Sequence, residues 1–114
     1  MRAVNQTRGT QVAGDVRNAR SLWARTKGLL GRKSLGNEEA LLIEPCSSIH
    51  TFGMAFPIDA LFLSRDGRVV HLVKEMKASR ISRHVFSARM VLEAPAGTIE
   101  GTATCLGDTL SFLP

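Results

Sequence analysis

Two apolar runs, IDALFL at 58–63 and RVVHLV at 68–73, stand on either side of Arg65-Asp66-Gly67. Both runs hold residues that fit a buried pleated surface, and Asp-Gly tolerates the positive φ angles of a tight reversal between twisted strands. This pattern predicts an antiparallel hairpin turning at Asp66-Gly67, the strongest local signal in the chain. Residues 40–44 read as a strand stopped by Pro45, which cannot donate to a ladder. Residues 90–93 read as another, ended by the Ala94-Pro95-Ala96-Gly97 turn, and after Gly107-Asp108 the alternation of Leu110 and Phe112 with polar residues predicts a last, half-buried strand. One helix is predicted over 22–30. Leu22, Trp23, Thr26, Leu29 and Leu30 share a stripe, Ser21 can cap its start and Gly31 its end, and Gly28 weakens it by about 1 kcal/mol. Residues 1–9 are expected to fray. The predicted fold class is therefore α+β and strand-dominated: a compact, mostly antiparallel curled sheet or small barrel with one short helix.

No internal repeat or Pro/Gly/Ser-rich linker divides the 114 residues, so 1–114 is read as a single domain. With 44% hydrophobic residues and both charge signs scattered along it, the chain is not a disordered tail. No stretch approaches the ~18 consecutive apolar residues of a membrane span, and the polar start MRAVNQTRGTQVAGDVRNAR lacks the apolar core of a secretory signal. A soluble cytoplasmic protein is expected. Cys46 and Cys105 are too few for a disulfide scaffold, and in that compartment both are expected as free thiols.

The net charge of +5 and pI near 10 raise nucleic acid or another polyanion as a partner. Arg17, Arg20, Arg25, Lys27, Arg32 and Lys33 form one basic group, and Lys74, Lys77, Arg80, Arg83 and Arg89 a second against Glu75 alone. General nucleic-acid binders also need stacking surfaces. With no Tyr, one Trp and most of the five Phe in apolar runs that read as core, polyanion binding through a basic surface ranks as an alternative.

The stretch CSSIHTFGMAFPID sets Cys46, His50, Met54 and Asp59 among small and apolar residues. Thiolate, imidazole and thioether together suit a soft metal. In a strand, however, Cys46 and His50 stand about 13 Å apart, and in a helix Cys46 and Met54 about 12 Å, so only a curled loop could gather all three. The same separation removes a Cys46–His50 dyad, although His71 or His84 could reach Cys46 through the fold. No thiol-enzyme signature or phosphate loop is present; a thiol- or metal-dependent enzyme is the last alternative, and no cofactor is implied. Asp59 and Glu93 are more telling, since each carboxylate interrupts an apolar run and needs a partner if buried. Arg25, His50 or backbone N–H groups of neighbouring turns could serve. The leading expectation is a small binding or accessory domain for an unknown small molecule or protein, with a polar pocket around His50, Thr51, Asp59 and Glu93 bordered by Arg25.

The series ARSLWARTKGLLGR, LLIEPCSSIHTFGMAFPIDALFLSRDGRVV and ARMVLEAPAG, followed by a late Gly-Asp, resembles the bacterial and archaeal domain-of-unknown-function family number 192 over about residues 19–113. The resemblance implies a compact strand-rich fold and no agreed activity. Where other members carry a Trp-Met-Lys-Asn-Thr run, this chain has Ile49 to Met54, so chemistry at His50 would not be common to the family. Gly101 also departs from the helix-forming residues that the family pattern has after Gly97.

Overall fold

The computed structural model describes residues 1–19 and 35–114. The helix predicted over 22–30 and the candidate residue Arg25 lie outside the described residues. In chain order the strands are β1 (Arg2–Asn5), β2 (Thr10–Ala13), β3 (Asp15–Ala19), β4 (Glu39–Ile43), β5 (Ile58–Leu63), β6 (Val69–Met76), β7 (Met90–Pro95) and β8 (Leu110–Leu113). A one-turn helix, α1 (Thr98–Gly101), follows β7 and ends at the glycine that departs from helix-forming type.

The predicted hairpin is β5–β6, paired antiparallel through Leu61↔Leu72 and Phe62↔His71. Its turn closes with the Gly67 N–H donating to the Ser64 carbonyl at 2.9 Å, and Gly67 adopts φ +85°. A Cβ there would run into the Leu110 carbonyl, while the Leu110 N–H donates to Gly67 O at 2.9 Å. Only glycine meets both demands.

The strands form two open sheets. One has the order β2-β1-β8 and is antiparallel; the other has the order β3-β4-β7-β5-β6, antiparallel except for the parallel pair β3–β4. They do not close into a barrel. Residues 1–9, expected to fray, instead supply β1, the middle strand of the smaller sheet, with Ala3 and Asn5 fully buried. Its sequence is too polar to signal a strand, and its pairing is long-range: Asn5 meets Leu110. β2 and β3 carry equally weak patterns, while β7 runs on to Pro95, two residues past the predicted end.

All six residues of β5 are buried, so the larger sheet is covered on both faces. Leu61, Leu63 and Leu92 pack with Ala3, Val12, Ile99 and Leu110 between the two sheets. Ile58, Phe62 and Val91 pack on the other side with Ile49, Met54, Phe56 and Val85 from the long connections. Each fully buried side chain of this size is worth about 1.5–3 kcal/mol, so those connections are part of the core.

Candidate functional site

Strand register decides which predicted site residues can meet. Asp59 pairs with Ala94, and Ala60 pairs with Glu93. Successive side chains point to opposite faces, so Asp59 enters the core between the sheets and Glu93 enters the core beneath the long connections. The sheet stands between the two carboxylates.

Asp59 is 1% exposed. Its Oδ1 accepts the Glu75 N–H at 2.8 Å and its Oδ2 the Ile99 N–H at 2.8 Å. Glu75 sits where β6 bulges against β5, with φ +51°, and Ile99 is the second residue of α1. One carboxylate thus ties three elements together by charge-assisted bonds to backbone donors. Neither Arg25 nor His50 is needed for that. Glu93 is fully buried between Leu41 of β4 and Ala60 of β5.

Thr51 is also fully buried. Its hydroxyl donates to the Lys77 carbonyl at 2.6 Å and accepts the Arg80 N–H at 2.9 Å, while its own N–H donates to the Arg80 carbonyl at 2.9 Å. It latches the β4–β5 connection to the β6–β7 connection. Ser82 N–H donates to the Ile49 carbonyl and Val85 N–H to the Ser47 carbonyl, each at 2.9 Å. His50 and Ile81 form an antiparallel bridge. Residues 46–56 and 77–89 therefore make a ribbon laid over the sheet, with Ile49, Thr51 and Val85 inward.

The ribbon carries four of the five cations of the second basic group, together with exposed apolar residues. Phe52 is 47% exposed, Ile81 70% and Phe86 89%. The His50 ring stacks on Phe52 with centroids 5.1 Å apart at 27°, and His50 Nδ1 accepts the Phe52 N–H at 3.3 Å. His84 meets Phe86 edge-on at 4.4 Å. Lys77, Arg80, Arg83 and Arg89 are exposed, and neither loop contains an Asp or Glu. Among the described residues, ion pairs form at Arg8–Asp108 and Arg17–Asp15 and none involves these four cations. Burial and the Arg83 charge both push the His71 imidazole below its usual range. Of the five Phe, most of which read as core, Phe56 and Phe62 are buried and Phe112 packs partly buried against the core, while Phe52 and Phe86 are exposed. The available signal was the polar setting of Phe86 in RISRHVFSAR.

Cys46 and Cys105 are not joined in a disulfide. The Cys46 thiol donates to the Ser48 carbonyl at 3.1 Å, and Cys46 shares with Ile43, Pro45, Ser47, Ser48 and His84 the lining of a cavity of about 340 Å³. Met54 is buried in the core below. Among the described residues no group of three or more His, Cys, Asp or Glu is placed to hold a metal, and no helix is long and apolar enough to cross a membrane.

A third buried carboxylate, Asp108, escaped the sequence reading. Asp108 Oδ2 accepts from Asn5 Nδ2 and Arg8 Nε at 3.0 Å and from the Cys105 N–H at 2.9 Å. Arg8, with help from Asn5 and the Cys105 N–H, outweighs burial and pulls the Asp108 carboxyl down to about 2. This cluster pins the β1–β2 turn to the loop before β8.

Two solved structures share the fold. One, from Sinorhizobium meliloti 1021 and described as a candidate transcription regulator, superposes with a TM-score of 0.77 at 22% identity over 96% of this chain and 89% of its own. The other, a protein of unknown function from Novosphingobium aromaticivorans DSM 12444, gives 0.74 at 22% identity over 98% and 93%. Among sequences, the UPF0127 protein PH1112 of Pyrococcus horikoshii is 32% identical over 96% of each chain. The UPF0127 protein TK1120 of Thermococcus kodakarensis is 30% identical over 97% of this chain and 73% of its own. The model of the uncharacterised family DUF192 matches residues 3–112; with that match across both sheets and the ribbon, the chain belongs to the DUF192 family.

Proposed function

We propose that this protein is a binding module whose working surface is the outer side of the ribbon, and that its partner is a polyanion. One observation carries the reading. Lys77, Arg80, Arg83 and Arg89, like Phe52, Ile81 and Phe86, stand exposed on two interlocked loops that hold no acid. Cations gathered without counter-charges attract phosphate or sulfate groups, and exposed large apolar side chains beside them mark a contact surface. A small-molecule pocket shared by His50, Thr51, Asp59 and Glu93 is a weaker reading. Asp59 spends both oxygens on backbone donors, Thr51 spends its hydroxyl on the opposite loop, and Asp59 and Glu93 face opposite sides of the sheet. The description of the Sinorhizobium meliloti protein as a candidate transcription regulator agrees with a polyanion partner, although at 22% identity that likeness lends only the fold.

Heparin chromatography tests the reading. The protein should be retained at low salt and released as salt rises, because bound cations displace counterions from the polyanion. The double variant Arg80→Glu, Arg83→Glu should pass through unretained. Failure of the unaltered protein to bind heparin at low salt would sink the proposal.

A further inference from the structure

We infer that the polyanion is a single-stranded nucleic acid, held by stacking of separate bases on Phe52 and Phe86; the inference rests on the polyanion reading above. Three observations carry it. First, the exposed rings are supported platforms. Phe52 is backed by the stacked His50 imidazole and Phe86 is braced edge-on by His84, yet they remain 47% and 89% exposed. A ring fixed by a neighbour loses little further freedom when a base settles on it.

Second, the platforms are spaced for two bases. Phe52 follows the rung where Thr51 bonds Arg80, and Phe86 follows the rung where Ser47 bonds Val85. Four residues separate Ser47 from Thr51, a span of up to about 13 Å at ~3.3 Å per extended residue. One base cannot cover both rings, so two must be offered with sugar and phosphate between them. Along the β6–β7 connection, Arg80 stands at the first rung and Arg83 between the two, beside the path that backbone would take. Arginine suits this position because its planar fork pairs with phosphate and also stacks.

Third, the partner's bases must be free of a duplex. Paired bases in a helix keep their faces stacked on one another, while a single strand exposes them to aromatic side chains. An anionic membrane surface would also answer to exposed Phe and Ile beside cations. Insertion there calls for apolar side chains grouped on one edge, and here Phe52 and Phe86 follow different rungs, with Arg83 as well as Ile81 between them.

The test is fluorescence anisotropy with a labelled oligo(dT) of about 15 nucleotides. A duplex of equal length and phosphatidylserine vesicles are compared at the same salt, and heparin retention is measured in parallel. The unaltered protein should prefer the single strand to the duplex. Phe52→Ala and Phe86→Ala should each weaken oligo(dT) binding by about fivefold to a hundredfold, while leaving heparin retention and the melting temperature unchanged. Phe86→Trp should restore what Phe86→Ala loses. Heparin retention with oligo(dT) affinity indifferent to both alanine variants would overturn the stacking inference and leave the polyanion reading standing. Loss of vesicle binding in those variants without preference for the single strand would overturn it in favour of a membrane. No retention of the unaltered protein on heparin would overturn both.

Discussion

In the turn that precedes β8 the Arg8 guanidinium lies against the buried carboxylate of Asp108, whereas in the ribbon Arg80 and Arg83 stand in solvent on loops that hold no acid at all. The first region is self-contained. Asn5, Arg8 and the Cys105 N–H converge on one carboxylate, and nothing in that arrangement asks for a further partner. The ribbon differs: buried Thr51 is bonded to the facing loop, while four cations and the rings of Phe52 and Phe86 are exposed. A basic residue that closes the fold is recognised by its acid, and one that serves a contact is recognised by having none nearby. Formal charge summed along the sequence cannot separate the two.

The largest effect expected is on the closed side. Asp59→Asn replaces one acceptor with an amide that faces a backbone N–H, so unfolding in urea should show a loss of about 3 kcal/mol or more. Asp66→Asn, in the hairpin turn, should stay within about 0.5 kcal/mol. Equal losses from the two would mean that the bonds to Glu75 and Ile99 are not what holds α1 and the bulge together. A smaller effect is expected for Asp108, and it depends on pH. Its folded pKa is depressed, so the stability it contributes is present above about pH 4. That contribution is lost as pH falls through about 2. The acid limb of a stability profile should therefore flatten in Asp108→Asn; an unchanged limb would remove this cluster from the closed side of the comparison. The smallest effect belongs to the ribbon. Phe86→Ala should shift unfolding by no more than about 0.5 kcal/mol, since the ring is 89% exposed. A cost of several kcal/mol would show that Phe86 belongs to the core after all.

What could be read in the sequence follows the range of the interactions involved. The β5–β6 hairpin was legible because both strands and the Asp66-Gly67 turn lie within twenty residues. The burial of Asp59 and Glu93 was legible because a carboxylate in an apolar run is conspicuous wherever it occurs. Their separation was not, since it depends on Asp59 meeting Ala94 across β7, a register that no local pattern encodes. Nor were the donors to Asp59 foreseeable in detail: a bulge sixteen residues away and a helix start forty residues away both supply main-chain N–H groups, which every sequence offers everywhere. β1 escaped because Asn5 is buried by its bonds to Thr104 and Asp108 and not by its own hydrophobicity. Which of the Phe are exposed was not legible, because an apolar residue type says nothing about which side of a ribbon it occupies.

The ribbon is fastened by the inward packing of Ile49, Met54, Phe56 and Val85 and by main-chain bonds between its two loops, with Thr51, Ser47 and Ser82 adding short hydroxyl ties. None of those fastenings uses the side chains of residues 52, 81, 83 or 86. Inheritance can therefore rewrite the outward letters while the scaffold stays intact, and two descendants of one ancestor can share the architecture yet answer to different partners. On that logic, kinship within the DUF192 family is a sound guide to shape, and the outward residues of each chain are where its particular vocation has to be read.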